Sequence, residues 1–483
     1  MNILLSLQDE EQMHYEIESI LRMFLPDVRP RFIREEDGPC PRRLTIATGG
    51  EEGRVTLDLP GFTGEETEPA PADGDRKELE VSVCRMIYRL LTRATGRRIE
   101  WGVLTGIRPV KLVRELRERG MTYPEIQRRF IERYLTTPAK AALCVETDKV
   151  QREAIDKAEA KDYSLYIAIP FCPSRCGYCS FVTHSIEKTR KLIPDYLDRL
   201  EEELQYTAEI AAEKGLALRT IYMGGGTPTI LEAEQLDRLL ETVNRCFDRS
   251  KCLEFTVEAG RPDTITGEKL AALARGGVDR ISVNPQTLSD RVLGLVGRKH
   301  TAEDFYRAFS AAKGFPFASV NVDLIAGLPG DTPESFQDTL DRVIDLDPGN
   351  ITVHALTMKR AADMIGEKNL HLNGFSQAGT MINYSQQALK KAGYRPYYLY
   401  RQKSTVDSLE NVGFCKGDLL CLYNVYIMDE THTILSAGGG GVTKVVLPGN
   451  RIERIFNYKY PYEYISRFPA VLERKDRLRG YDL

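Results

Sequence analysis

No run of apolar side chains in this sequence approaches the roughly 18 to 20 residues needed to cross a bilayer, so no transmembrane helix is expected. There is no excess of positive charge either. The chain carries 66 Lys and Arg against 70 Asp and Glu, a formal charge of −4, which leaves no general electrostatic grip on nucleic acid. The opening MNILLSLQDEEQMHYE lacks the cationic flank and cleavage site of a secretory leader. It reads as a strand turning into an acidic helix, and a cytoplasmic protein is expected. Cysteine is sparse: ten in 483 residues cannot make a disulfide scaffold, and a reducing compartment keeps them as thiols. With 42% hydrophobic and 28% charged residues, the composition excludes a disordered or fibrous chain. The length predicts about two to four domains.

Residues 1–160 read as an N-terminal α+β domain with a helical connector. Within it, RRLTIATGGEEGRVTLDL (42–59) alternates around a Gly-Gly turn as a hairpin does. GFTGEETEPAPADGD (61–75), rich in Gly, Pro and acid, reads as an exposed loop. WGVLTGIRPVKL (101–112) reads as a structural turn before a helix. From 161 to 400 short apolar runs recur: SLYIAIP, RTIYM, LEFTVE, DRISV, SVNVDLI and NITVHAL, each followed by a segment of helical spacing. Six βα units are too few for a closed eight-stranded barrel. They predict an α/β core, an open (β/α)6 partial TIM barrel, with its site at the C-terminal ends of the strands. Residues 401–483 read as a small C-terminal domain, and its glycine run LSAGGGGVTK (435–444) as either a close backbone approach or a ligand-facing loop.

Seven cysteines (40, 84, 144, 246, 252, 415 and 421) are scattered and read as small buried hydrophobes. The other three, Cys172, Cys176 and Cys179, fall in one loop after the first core strand at C-x3-C-x2-C spacing. Soft thiolates suit zinc or an iron–sulfur cluster. Zinc normally takes four closed ligands, and His184 lies five residues past Cys179. Three thiolates on a [4Fe–4S] cluster leave one iron open for another ligand. Both readings stand at this point.

The cysteine loop, with Tyr178 directly before the third Cys, resembles the radical S-adenosylmethionine (SAM) superfamily. IYMGGGTPT (221–229), VEAGRPD (257–263), DRISVNPQT (279–287) with Arg298 downstream, and NVDLIAGLPGDTPESF (321–336) follow in order. Together they resemble the oxygen-independent coproporphyrinogen III oxidase family, most of all its HemZ branch of coproporphyrinogen III dehydrogenases. The resemblance implies a [4Fe–4S] cluster on Cys172, Cys176 and Cys179 and a SAM on its open iron. It implies Tyr166, Tyr178, Gly225, Glu258 and Thr357 around that SAM, and Gly226, Thr227, Gln286, Arg298 and Asp323 around a second. Arg298 is expected to reach inward and hold a carboxylate with its guanidinium fork. The implied activity is radical decarboxylation of coproporphyrinogen III to protoporphyrinogen IX, by a monomer served by a low-potential electron donor.

Two departures keep other functions open. Ala168 stands where the family pattern usually has His, and Phe181 where decarboxylating members carry a fourth Cys. Phe181 is what the related haem-chaperone branch shows. The tetrapyrrole partner is accordingly a porphyrinogen substrate, a carried haem, or a haem whose ring is modified.

Overall fold

The structure, a computed structural model, describes residues 2–6, 13–25, 28–33, 41–48, 50–71, 75–106, 108–179, 184–356, 375–402 and 409–483. They cluster into two compact units, one drawn from 1–148 and 400–410, the other from 149–399 and 411–483. No disulfide joins the described cysteines. No helix among the described residues is long and apolar enough to cross a membrane.

In the first unit, β1 (Asn2–Ser6), β2 (Arg31–Ile33), β3 (Arg43–Thr48), β4 (Glu52–Leu59) and β5 (Phe62–Pro69) form one sheet, ordered β2-β1-β3-β4-β5. β3 and β4 are the expected hairpin, with Ile46 opposite Val55. Alternate residues Leu44, Ile46, Val55 and Leu57 are fully buried, as a half-buried pleated strand requires. They share a core with Ile87, Leu90 and Leu91 of the helix Arg76–Thr95. That helix is capped by Asp75, which accepts from the Lys77 and Glu78 N–H groups, and it stops at Gly96 in the left-handed region, φ 68°.

The expected loop over 61–75 is corrected: Phe62–Pro69 is strand β5, paired with β4 along its length. Its alternation is written in glutamates instead of apolar residues. Glu68 accepts from Ser82 Oγ at 2.6 Å, Arg85 Nε at 3.0 Å and Arg89 Nη1 at 2.8 Å. Burial opposes ionisation of Glu68, but the Arg85 and Ser82 bonds and the charges of Arg85 and Arg89 hold its carboxyl below the usual range. Hydropathy misses a strand face neutralised this way. Trp101 in 101–112 is buried and donates to Glu410 Oε2 at 2.7 Å. A Cβ at Gly102 (φ 55°) would lie 2.0 Å from Tyr134 O, so this is a packed structural turn.

The second unit begins with β6 (Asp162–Ile169), the short pair β7 (Phe171–Cys172) and β8 (His184–Ser185), and β9 (Ala217–Gly225). It continues through β10 (Glu254–Glu258), β11 (Arg280–Ser282), β12 (Ser319–Ala326), β13 (Asn350–Ala355) and the greater part of β14 (Arg395–Arg401) and β15 (Glu410–Cys415). β16 (Thr433–Ala437), β17 (Val442–Leu447) and β18 (Arg451–Phe456) complete it. The sheet order is β14-β15-β13-β12-β11-β10-β9-β6-β16-β17-β18. The six strands β6, β9, β10, β11, β12 and β13 are parallel neighbours throughout, and the sheet does not close, as the sequence predicts. Nearly every residue of β6 is buried, as parallel strands covered on both faces demand. The crossover helix Ile193–Glu213 packs Leu197, Leu200 and Leu204 inward at helical spacing.

Residues 433–456 extend this same sheet, with β16 parallel to β6 and Leu435 opposite Leu165. The glycine run between β16 and β17 is a close backbone approach. A Cβ at Gly438 (φ 99°) would lie 2.5 Å from Ala168 O and 2.7 Å from Tyr196 Oη. Its N–H donates to the buried Glu203 at 2.7 Å, and the Gly439 N–H to Tyr196 Oη at 2.8 Å.

Candidate active site at the mouth of the open barrel

β6 ends in Ile169-Pro170, and the cysteine loop starts at once. Its path is fixed by backbone bonds on two sides. Gly226 N–H donates to Ile169 O at 2.7 Å and Thr227 N–H to Phe171 O at 2.8 Å, while Gly177 N–H donates to Val296 O at 3.0 Å. A turn closed by Cys179 N–H to Cys176 O, 3.0 Å, brings the second and third cysteines back together. Cys176 is buried; Cys172 and Cys179 are half-buried. Among the described residues no three His, Cys, Asp or Glu side chains are gathered for a single metal ion. A cubane asks for a different spacing, because each cysteine binds a different iron. His184 stands on β8 with Nε2 buried and unbonded, beside the Tyr460 ring.

The three glycines after Met223 serve the protein's own backbone first. A Cβ at Gly226 would lie 2.4 Å from Phe171 O, one at Gly224 would lie 2.9 Å from the Glu258 carboxyl, and Gly225 sits at φ 108°. Thr227 is buried and donates to Cys172 Sγ at 3.5 Å.

On these largely buried strands, Tyr166, Tyr222, Glu258, Asn321, Asp323 and His354 are partly open polar positions. Register makes Tyr166 and Tyr222 neighbours. Their rings stack at 6.2 Å, and Tyr423, from the helix Leu422–Asp429, stacks on Tyr222 at 4.4 Å. Tyr222 Oη donates to Glu258 Oε1 at 2.6 Å. Withdrawal from water pushes the Glu258 carboxyl up to about 7, with the Asp323 charge adding and the Tyr222 bond opposing.

Asp323 lies two strands away. Its Oδ1 accepts from Asn321 Nδ2 at 2.8 Å and its Oδ2 from Asn284 Nδ2 at 2.9 Å, with His354 Nε2 at 3.9 Å. Burial opposes ionisation, but bonds from His354, Asn321 and Thr352 outweigh it and hold this carboxyl below its ordinary value. Gln286 sits beside it at φ 69°, its N–H donating to Asp323 O and its carbonyl accepting from Ile325 N–H. Its side-chain Oε1 is buried without a bonding partner.

Arg298 is buried but does not present the open fork expected of it. Nη1 donates to Tyr178 Oη at 3.0 Å, Nη2 to Gly260 O at 3.1 Å and Asn284 O at 2.6 Å, and Nε to His300 Nδ1 at 3.4 Å. It clamps the cysteine-loop aromatic to the loops after β10 and β11, following the short helix Asp290–Leu295 instead of projecting from one. Thr357 and Phe181 lie outside the described residues. The sequence reading passed over Tyr222, Tyr423, Asn284 and Arg261. Tyr222 alone carried a signal, being two residues before the glycines on the same strand face as Gly224.

Residues 166–343 match the Radical SAM superfamily. Over 477 residues, 96% of this chain and 95% of the other, the sequence is 34% identical to the oxygen-independent coproporphyrinogen-III oxidase-like protein HemZ of Bacillus subtilis (strain 168). It is 33% identical over 260 residues, 53% of this chain and 67% of the other, to the heme chaperone HemW of the same organism. Among solved structures, the coproporphyrinogen III oxidase (HemN) of Escherichia coli, a radical SAM enzyme, superposes with a TM-score of 0.53 at 24% identity. That overlap spans 66% of this chain and 72% of that one, and shares the fold.

Proposed function

We propose, for a chain that belongs to the radical SAM superfamily and, along nearly its whole length, to the oxygen-independent coproporphyrinogen III oxidase family, the decarboxylation of coproporphyrinogen III to protoporphyrinogen IX. The family's cofactors are a [4Fe–4S] cluster and SAM. The residues fit them: a soft three-thiol donor set in one pinned loop, a carboxyl poised near neutrality, and an orphaned Gln286 oxygen. When bound, the pair supplies a carbon-centred radical that removes a hydrogen atom. Each of two propionate arms then loses that hydrogen, carbon dioxide and one electron to an acceptor, leaving a vinyl group.

In this reading Cys172, Cys176 and Cys179 hold the cluster, with Cys172 accepting from Thr227. Tyr166, Tyr178, Gly225 and Glu258 face the first SAM, and Glu258 ionises against a cationic ammonium. Gly226, Thr227, Gln286, Arg298 and Asp323 serve a second SAM or a propionate, with Gln286 Oε1 free to accept a hydrogen bond. Arg298 acts there mainly by holding Tyr178 in place.

The observation that carries the reading is the likeness to the oxidase-like HemZ over 96% of the chain. A haem carrier is the second reading, favoured by the 33% identity to HemW and by Phe181. Anaerobic incubation with SAM, reductant and coproporphyrinogen III, scored by product mass, tests it. The enzyme yields the doubly decarboxylated porphyrinogen. A chain that cleaves SAM, leaves the substrate mass unchanged and retains stoichiometric haem is the carrier.

A further inference from the structure

Arg261 follows β10 in the sequence GRPD and is almost wholly buried, 4% exposed. Asp263 fixes its plane through a paired fork, Nε to Oδ1 at 2.9 Å and Nη2 to Oδ2 at 3.0 Å. The remaining nitrogen, Nη1, points into the cysteine loop. It donates to Ser174 Oγ at 3.2 Å and Ser174 O at 3.5 Å, and lies 3.9 Å from Cys176 Sγ. The cation therefore stands between Cys176 and its own counter-ion. Arg298, a second guanidinium near this loop, is bonded to Tyr178. His300, beside Arg298, is kept neutral by burial and by both guanidiniums, its imidazole pushed down to about 3.

We propose that Arg261 sets the reduction potential of the cluster by placing a buried positive charge against the Cys176 sulfur. Reduction adds one electron, so a cation nearby stabilises the reduced state more than the oxidised one. Burial leaves that interaction weakly screened by salt. A hydrogen bond to a ligating sulfur acts in the same direction. Pinning by Asp263 makes the effect permanent, since the guanidinium cannot swing to water without breaking two charge-assisted bonds. A merely structural Arg261 would tie Ser174 to the β10 loop and leave the potential alone.

The inference rests on Cys176 as a cluster ligand, and iron content separates the two. C176A that still loads about four irons per chain removes Cys176 from the ligand set and overturns both. With that settled, the full-length chain and its R261Q, R261K and D263N variants are reconstituted anaerobically and titrated by EPR-monitored potentiometry without SAM. R261Q is expected to disfavour reduction at least tenfold, about 59 mV for a one-electron couple, at unchanged iron. R261K should fall between it and the native chain, and D263N should shift the opposite way from R261Q. A fully loaded R261Q with a reduction equilibrium within twofold of native overturns the proposal. Should R261Q fail to load iron, D263N decides: a rise in potential supports the proposal, and an unchanged or lower one overturns it.

Discussion

Glu258, the last residue of β10, and Asp323, within β12, stand on one sheet with β11 between them, and their carboxyls are pushed in opposite directions. Both are only partly open to water. Glu258 has a single side-chain donor, Tyr222, and its carboxyl rises to about 7. Asp323 is met by Asn321, Asn284 and His354, and its carboxyl stays below the ordinary value. The contrast teaches that donor count, not depth, decides which carboxylate is ionised. One end of the mouth is a fixed anion. The other sits near its midpoint at neutral pH and is driven fully anionic when a cation arrives.

The largest expected effect comes from removing that responsive carboxyl. E258Q should weaken SAM binding by about 1.5–3 kcal/mol, the scale of a charged hydrogen bond, with iron content unchanged, as calorimetry on the reconstituted protein would record. D323N should cost that first ligand less. Equal losses would erase the distinction between the two ends.

Proton release sharpens it. At pH 6 to 7 a cationic ligand should expel a proton from Glu258, read as a dependence of binding heat on buffer ionisation enthalpy. The release should fade above about pH 8 and vanish in E258Q; D323N should retain it.

Stability should move in opposite directions with pH. The Glu258 carboxyl is raised, so the folded chain binds the extra proton between about 4.5 and 7, and stability falls as pH rises through that window. Melting curves of E258Q should therefore gain on the native chain from pH 5 to 8, by up to about 3 kcal/mol and less where the mouth is wet. Asp323 is depressed, so its contribution is present above its unfolded value and lost as pH falls below it. D323N should lose at neutral pH and converge with the native chain in acid. The smallest effect belongs to Y222F. Losing its side-chain donor, with the Gly225 backbone bond kept, should push the Glu258 carboxyl further up, moving the proton-release profile to higher pH without abolishing it.

The same physics divides what the sequence made legible from what it hid. The six parallel strands announce themselves because β6, β9, β10, β11, β12 and β13 are buried on both faces and read as apolar runs. β5 is hidden because its inward face is glutamate paired to Arg85 and Arg89 of a later helix. The cysteine loop is legible from spacing alone. The partners of Arg298 are not, since they are mainly backbone carbonyls and a Tyr from three different loops. Tyr423 reaches Tyr222 from 201 residues downstream along the chain, and no local pattern foretells that stack.

One reaction tests the central claim most directly: anaerobic turnover with coproporphyrinogen III labelled in its propionate carboxyl groups, counting labelled carbon dioxide against 5′-deoxyadenosine. The account predicts one carbon dioxide for each 5′-deoxyadenosine, and neither product in the Cys172→Ala variant. Steady 5′-deoxyadenosine without labelled carbon dioxide, from a chain carrying its full complement of iron, would contradict it.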